Sequence, residues 1–387
     1  MKNYFLFLFA ILFILIPVSA VRPMTSLFAE DLGASVLEIG VITAFYSIMP
    51  IFIAIVTGRF IDKFGEKLPL VLGTIGVTLA LILPYLIPEL YMLYICLILL
   101  GGSQFLALVS VQNGIAKFAT SGVKQDKAIG TFSLFTSIGN TIGPLIGGFV
   151  SEHRGFQDTY FILSIISIVS LVCGILVIQK KSQTDKKNIE SISVKKIVSI
   201  KGLKRIIIVS MINLAALDLF YVYYPLYANS QGFSPSKIGL IIMFMALASV
   251  IARLFLATAV LKFGRVRVLF AFMLMGAIAY SFIPVFDGFS TIIIVVMILG
   301  AGLGMSQPLT ILLTYQFAPK NHTAEVLGLR LAGNRLSQVV SPIIFAGVSS
   351  LVGLGSIFVI EAILLGFGAF FSLGLDKQEK TKSQDST

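Results

Sequence analysis

The sequence predicts an all-α membrane protein in which twelve transmembrane helices form two six-helix halves. Of its 387 residues, 57% are hydrophobic and 12% are charged, whereas a typical soluble domain carries about 25% charged residues. The apolar residues form long unbroken runs, a pattern found neither in disordered chains nor in membrane β-barrels. Twelve helices of about 20 residues also fit this length with short loops between them.

Each long apolar run is assigned to one membrane span. Spans 1 to 6 are predicted at residues 4–28, 36–57, 68–87, 90–114, 126–150 and 157–179. Spans 7 to 12 are predicted at residues 204–228, 236–258, 266–285, 289–316, 323–348 and 355–374. A polar, lysine-rich linker, 180–203, separates the N-terminal half, 1–179, from the C-terminal half, 204–374, and a polar tail, 375–387, is predicted to be cytoplasmic. A signal peptide is the alternative for the first run.

The basic residues predict the orientation in the membrane. With a cytoplasmic N-terminus, only Arg154 and Lys237 of the 29 lysines and arginines fall on the outer side of the membrane. This bias is the positive-inside pattern, so both termini and the linker are predicted to be cytoplasmic in a multi-pass protein of the plasma membrane, specifically a bacterial inner membrane. The net charge of +11 therefore reflects membrane topology, and the lipid bilayer, not nucleic acid, is the predicted partner.

Several kinds of chemistry lack the residues that they require. The chain contains two cysteines and two histidines, which are too few and too separated in sequence to form a metal cluster. It has no G-x-x-x-x-G-K-[ST] motif for nucleotide binding and no recognisable nucleophile–base constellation. The sequence therefore predicts a protein that is not an enzyme and that uses no metal or other cofactor.

An internal repeat relates the two halves. At an offset of 199 residues, GASVLEIGVI from Gly33 aligns with GFSPSKIGLI from Gly232. A Lys-Phe-Gly triplet ending at Gly65 aligns in the same way with one ending at Gly264. Apolar matches between membrane helices often arise by chance, so the glycines and the triplets carry the argument. Parallel six-helix repeats are typical of transporters whose binding site lies where the halves meet.

The segment after span 2 reads GRFIDKFGEK, from Gly58 to Lys67. It resembles the signature loop of the major facilitator superfamily, G-x-L-x-D-R-x-G-R-[KR], although Glu66 stands where that family has arginine. The resemblance implies a cytoplasmic gate with a second copy in the repeat, in which Leu261 replaces the acid. The residues of this gate loop are Gly58, Asp62, Lys63, Gly65, Arg253, Gly264 and Arg265. An ordinary basic turn is the alternative.

Span 5 contains regularly spaced glycines. The pattern G-x8-G-x3-G-P-x2-G-G is formed by Gly130, Gly139, Gly143, Pro144, Gly147 and Gly148. This pattern is similar to the antiporter motif of proton-driven exporters in the major facilitator superfamily. At an offset of 198 residues, span 11 keeps Gly328 and has Ser341-Pro342 in place of Gly143-Pro144. Close packing of helices through small residues is the alternative.

Two acidic residues lie deep inside predicted spans, more than three residues from either end. An ionisable residue is costly in a membrane and is therefore a functional candidate by default. Asp218 in span 7 and Glu361 in span 12 are assigned to proton coupling, because a carboxyl buried without a partner neutralises by taking up a proton. A hydrogen-bonded structural acid is the alternative for both. It carries more weight for Glu361, since the last span is peripheral in the family.

Polar residues in six spans are expected to line the substrate cavity. They are Arg22, Gln104, Gln112, Asn140, Tyr221, Gln307, Arg330, Asn334, Arg335 and Gln338. Arg330, Asn334 and Gln338 recur at helical spacing and so share one face of span 11. Helix packing is the alternative for each polar residue. For Arg22 a further alternative is that its side chain extends to the membrane surface.

Together with the family resemblance, these features predict a secondary active transporter. The preferred function is proton-coupled efflux of a small organic molecule by antiport and alternating access, with the substrate and protons as partners of a monomeric protein. An uptake symporter for a small metabolite or chelate is the alternative, and a receptor that does not transport is a third hypothesis. Four arginines (Arg22, Arg253, Arg330 and Arg335) against two acids deep within the spans favour an anionic or zwitterionic substrate.

Overall fold

A computed structural model of the chain describes residues 2–116, 123–178, 201–319 and 322–384. Its first six helices are α1 (Lys2–Asp31), α2 (Val36–Phe64), α3 (Lys67–Leu86), α4 (Leu90–Ala116), and α5 and α6, which share the range Val123–Leu176 and are divided at Gly155. The next six are α7 (Lys201–Ser230), α8 (Pro235–Leu254, continued by Leu256–Phe263), α9 (Arg265–Phe282), α10 (Phe289–Phe317), α11 (Thr323–Val352) and α12 (Gly355–Gln384). A short 3-10 turn, Ile283–Val285, follows α9.

These helices confirm the predicted all-α architecture of twelve spans. Within the described residues, eleven helical stretches are long and apolar enough to cross a membrane. One of them, Gly130–Leu176, has 47 residues, which is enough for two crossings because about 20 residues suffice for one. The backbone of Gly155 leaves the helical conformation inside that stretch, so it forms two spans, α5 and α6.

The internal repeat is reproduced by the backbone. Gly33 and Gly232 have φ angles of 85° and 82°, a region that glycine adopts readily because it has no Cβ atom. The backbone N–H of each glycine donates a 2.9 Å hydrogen bond to the carbonyl of the residue three positions earlier. A second pair is formed by Gly155 and Gly353, with φ angles of 84° and 98°. Corresponding turns in the two halves therefore each contain a glycine with a positive φ angle.

The segment that resembles the family's gate loop is mostly helical. Although the sequence predicts a loop from Gly58, α2 continues to Phe64, and only Gly65 and Glu66 form a turn. The helix ends there because Gly65, with φ 76°, donates its N–H to the Ile61 carbonyl at 2.8 Å. Lys63 and Asp62 consequently lie on the last turn of α2 and not in a loop.

Other boundaries also differ from the predicted ones. The last helix extends to Gln384, ten residues past the predicted end of span 12 at residue 374. Its polar end can remain helical because lysine, glutamate and glutamine have high helix propensity. The predicted linker, 180–203, lies outside the described residues except for 201–203, which begin α7.

The chain forms two compact units. The first unit comprises Met1–Lys186 and Tyr224–Met243, and the second comprises Lys187–Tyr223 and Phe244–Thr387. The start of α8 belongs to the first unit because it packs against α5 at glycine positions. A Cβ atom on Gly148 would lie 2.3 Å from the Pro235 carbonyl oxygen, and one on Gly239 would lie 2.3 Å from that of Pro144.

Candidate functional site

Both acids that the sequence assigns to proton coupling are buried in the second unit. Asp218 on α7 is 2% exposed, and Glu361 on α12 is fully buried. The side chain of Tyr280, on α9, lies within electrostatic range of both carboxyl groups. Its hydroxyl donates a hydrogen bond to the Ala216 carbonyl, and its ring stacks on Phe358 at 6.2 Å between centroids. Three helices thus bring two ionisable acids together around one tyrosine.

Glu361 has an unusual environment for an acid. Neither of its carboxyl oxygens has a hydrogen-bond partner among the described protein groups. The residue forms part of the wall of a cavity of about 270 Å³ between α7, α11 and α12. A charged carboxylate without a partner is strongly disfavoured in such surroundings, which makes Glu361 an unusual residue for the interior of a helix bundle.

A second polar cluster surrounds Arg330, which is 4% exposed. Its Nη1 atom donates to Ser210 Oγ on α7 at 2.8 Å and to Thr310 Oγ1 on α10 at 3.3 Å. Ser210 in turn donates to Asn334 Oδ1 at 3.0 Å. Within the described residues the Nε atom of Arg330 has no partner. The cluster therefore presents a buried cation held by neutral groups, which suits an anionic ligand group.

The other second-unit residues that are predicted to line the substrate cavity do not form a single cluster. Arg335 donates to Gln338 on the same helix at 2.8 Å. The Oε1 atom of Gln307 is buried, with no hydrogen-bond partner in the described part of the chain. Tyr221 is half-buried on α7. Their role in binding a substrate stays a prediction.

The first unit contains a smaller cluster of polar residues, formed by Arg22, Tyr46 and Gln104. The guanidinium of Arg22 on α1 lies over the Tyr46 ring, 5.3 Å from its centroid, a cation–π arrangement. Tyr46 also donates its hydroxyl to Gln104 Oε1 on α4 at 3.1 Å. Arg22 and Gln104, both predicted to line the substrate cavity, are thus connected through Tyr46. Gln112 and Asn140, by contrast, are exposed.

The glycines of the α5 motif face two different helices. Gly139, Gly143 and Gly147 lie against α1, where a Cβ on Gly143 would stand 2.0 Å from Ser19 Oγ and 2.3 Å from the Ile16 carbonyl oxygen. Gly148 faces the start of α8. Only Gly130 has open space around it, with nothing within 4 Å of a Cβ. Most of the motif therefore permits close helix contact.

The gate-loop residues also occupy defined places. Asp62 and Lys63 are exposed at the end of α2, and the Lys63 ammonium lies 5.1 Å from the centroid of the neighbouring Phe64 ring. In the second copy, Arg253 donates from Nε to the Gly304 carbonyl at 3.1 Å. Arg265 donates to Gln316 Oε1 at 2.6 Å. Gly264, with φ 84°, ends the preceding helix as Gly65 does.

Sequence reasoning missed several residues of these clusters. Ser210 and Thr310 accept hydrogen bonds from Arg330, and Tyr280 lies within electrostatic range of both acids. Serine, threonine and tyrosine are common in membrane helices, so the sequence did not single these residues out. Asn213 is 1% exposed, and within the described residues neither polar atom of its amide has a partner. An amide inside span 7 was detectable by the same rule that identified Gln307.

The profile of the Major Facilitator Superfamily matches residues 7–258 and 206–387. The chain therefore belongs to this family of membrane transporters, as its gate-loop and span-5 motifs indicated. Multidrug resistance protein 2 of Bacillus subtilis is 25% identical over 379 residues, which cover 92% of this chain and 94% of that protein. Quinolone resistance protein NorA of Staphylococcus aureus is 22% identical over 311 residues, covering 79% of this chain and 80% of NorA.

Solved structures share the fold. The nucleoside transporter NupG superposes with a TM-score of 0.84 at 11% identity, covering 96% of this chain and 99% of NupG. A POT family transporter in complex with 5-aminolevulinic acid superposes with a TM-score of 0.79 at 13% identity, covering 97% of this chain and 96% of the transporter. At these identities the likeness establishes the twelve-helix major facilitator fold.

Proposed function

We propose that the protein is a proton-coupled antiporter that exports a small organic molecule by alternating access. The observation that carries the proposal is the burial of two carboxyl groups, Asp218 and Glu361, near Tyr280 in a membrane-spanning bundle. A carboxyl group in low dielectric changes its protonation state when its surroundings change. It can therefore link a proton to a conformational equilibrium.

In this proposal Asp218 carries the coupled proton and Glu361 is a second proton-exchanging acid. The buried Arg330 cluster and the group formed by Arg22, Tyr46 and Gln104 contribute polar contacts to the substrate. Proton and substrate favour different conformations, so the binding of one lowers the affinity for the other by the same factor in both directions. The gate-loop acid Asp62 stabilises one of these conformations.

Export is favoured over uptake by the span-5 motif and by the relatives. Two relatives are a multidrug resistance protein and a quinolone resistance protein, and export from the cell is a direct way for a transporter to give resistance. Uptake by proton symport is the second candidate, because a nucleoside transporter and a POT family transporter share the fold. The protein acts as a monomer in the bacterial inner membrane, with both termini in the cytoplasm.

The direction is tested in proteoliposomes with an imposed pH gradient and a panel of labelled organic compounds. Antiport predicts that the substrate accumulates on the acidic side, against its own gradient, while protons move to the other side. Accumulation on the alkaline side, together with protons, would establish symport instead. A panel in which no compound moves protons would favour the receptor hypothesis.

The role of Asp218 is tested with Asp218→Asn, which keeps the shape of the side chain but cannot release a proton. Transport driven by a pH gradient should fall at least about tenfold, while exchange of substrate at equal pH continues because exchange needs no net proton release. Asp287→Asn is the matched control, since Asp287 is exposed and its replacement should change neither activity. Full gradient-driven accumulation by Asp218→Asn would exclude this residue as the carrier.

A further inference from the structure

The end of α5 and the beginning of α8 meet within the first unit, on the side of the membrane that the topology predicts to be outside. A Cβ atom on Gly148 would lie 2.3 Å from the Pro235 carbonyl oxygen, and one on Gly239 would lie 3.2 Å from the Gly148 Cα atom. The two backbones can approach this closely because the residues between them are glycines. Glu152, one helical turn after Gly148, is therefore placed next to the beginning of α8.

Glu152 forms hydrogen bonds with the first turn of α8. Its Oε2 atom accepts a hydrogen bond from the Ser236 backbone N–H at 2.9 Å, and the hydroxyls of Ser234 and Ser236 also contribute hydrogen bonds to the carboxylate. The first backbone N–H groups of a helix have no partner within that helix, and a negative charge near them is stabilising. A residue of α5 thus acts as the capping acid of α8.

The equivalent helix of the first half has a capping acid of its own. At the beginning of α2, Glu38 Oε2 accepts hydrogen bonds from the Ser35 backbone N–H and hydroxyl, each at 2.8 Å, and the two residues form a capping box. At the offset of 199 residues, Ser35 corresponds to Ser234, but Glu38 corresponds to Lys237. α8 therefore has a cation where its counterpart has the capping acid, and the acid comes from a different helix.

The origin of the capping acid matters when helices move. A capping box within one helix is kept in every arrangement of its neighbours, whereas a cap that a second helix supplies exists only while the two helices are in contact. A second hydrogen bond acts on the same side of the membrane, where Asn229 Nδ2 on α7 donates to Glu30 Oε2 on α1 at 3.0 Å. Separation of α5 from α8 would leave the first N–H groups of α8 without their acid.

We propose that Glu152 is an outer latch: its carboxylate stabilises the conformation in which the ends of α5 and α8 are in contact, and it releases α8 when the transporter opens on that side. The inference rests on the alternating access of the proposed function. It depends neither on proton coupling nor on the direction of transport.

The test is a distance measurement by double electron–electron resonance on the full-length protein in lipid nanodiscs. Spin labels are attached at Arg154→Cys and Gln231→Cys, two exposed positions near these helix ends, after Cys96 and Cys173 have been replaced by alanine. With Glu152 present, we expect mainly short distances. In Glu152→Gln the ratio of separated to close ends should rise about three- to tenfold, because hydrogen bonds to a charged group become bonds to a neutral one.

Two further variants distinguish a latch from an ordinary helix cap. Glu38→Gln removes the capping acid of α2, which joins no two helices, so it should leave the distance distribution unchanged. Adding Lys237→Glu to Glu152→Gln gives α8 a capping acid at the position equivalent to Glu38. The double variant should regain the melting temperature lost with the cap, while its helix ends remain as separated as in Glu152→Gln alone.

An unchanged distribution in folded Glu152→Gln, an equal shift in Glu38→Gln, or a return of close ends on adding Lys237→Glu would each overturn the latch. If Glu152→Gln does not fold, Glu152→Asp decides, because it keeps the charge but shortens the side chain, and a wild-type distribution in that variant would also overturn it. The measurement uses neither substrate nor a pH gradient. A shifted distribution together with transport that does not respond to a pH gradient would therefore retain the latch and reject the antiporter.

Discussion

The two units place different chemistry at equivalent positions of one repeat. At the offset of 199 residues, Asp218 on α7 corresponds to Ser19 on α1. At the offset of 198 residues that relates Gly155 to Gly353, Glu361 on α12 corresponds to Leu163 on α6. All four side chains are buried. The first unit thus has a hydroxyl and a leucine where the second has two acids.

The packing around these equivalent positions also differs between the two units. Ser19 donates its hydroxyl to the Gly139 carbonyl at 3.1 Å and lies in the space that a Cβ on Gly143 would need. In the second unit, Ser341 replaces Gly143 and lines the Glu361 cavity. Glycine therefore permits close packing of α1 and α5, whereas a larger residue accompanies a cavity in the second unit. The comparison indicates close helix packing in the first unit, and the proposed function places proton chemistry in the second.

The largest expected effect follows from the close contact of α1 and α5. Gly143→Ala would place a Cβ atom 2.3 Å from the Ile16 carbonyl oxygen, and a backbone atom cannot rotate away as a side chain can. We expect the free energy of unfolding to fall by about 1–3 kcal/mol, measured as a lower melting temperature in detergent. The transport rate should fall as well, because less folded protein remains. Gly130→Ala is the control, because nothing lies within 4 Å of its Cβ. Equal melting of both variants would contradict the assignment of the motif to packing.

An intermediate effect is expected at the two copies of the gate segment. Asp62 is exposed at the end of α2, and its repeat equivalent, Leu261, is 88% exposed. Asp62→Asn should slow transport several-fold without changing the melting temperature, because a gate contact and not a core contact is lost. Leu261→Asn should leave the transport rate unchanged, since the second copy has no acid to contribute. A normal rate for Asp62→Asn, measured by substrate counterflow, would remove Asp62 from the gate.

The smallest effect concerns stability and has the opposite sign. Glu361→Leu gives the second unit the residue type that the first has at Leu163. Glu361 is a buried polar group whose carboxyl oxygens have no hydrogen-bond partner among the described residues, and such a group destabilises the folded protein. Its replacement by leucine should therefore raise the melting temperature, by less than Gly143→Ala lowers it. Glu89→Leu removes an exposed acid and should not raise the melting temperature. A lower melting temperature for Glu361→Leu would indicate that Glu361 has a structural role.

Much of this architecture could be predicted from the sequence, because it depends on local properties. Apolar runs predicted the spans, and the repeated glycines predicted the turns at Gly33 and Gly232, since backbone conformation there requires glycine. The burial of Asp218 and Glu361 also followed from their positions in apolar runs. The extent of α2 was predicted less well, because the end of the helix is set by the hydrogen bond of Gly65 and not by polarity.

Contacts between distant helices could not be predicted. Ser210 and Arg330 are separated by 120 residues, and a repeat aligns equivalent positions without stating which side chains meet. The direction faced by each glycine of α5 was likewise unspecified, although the spacing was clear. The Glu361 cavity depends on the combined shapes of three helices, and no sequence pattern encodes a volume.

The central claim, that proton coupling resides in the acids of the second unit, is tested most directly by substrate-induced proton movement. Internal pH is recorded in proteoliposomes that contain either the wild type or the double variant Asp218→Asn/Glu361→Gln, with one transported substrate. The wild type should move protons when substrate is added, and the double variant should move none while it still exchanges labelled substrate at equal pH. Proton movement of normal size in the double variant would contradict the claim and place the coupling outside these two residues.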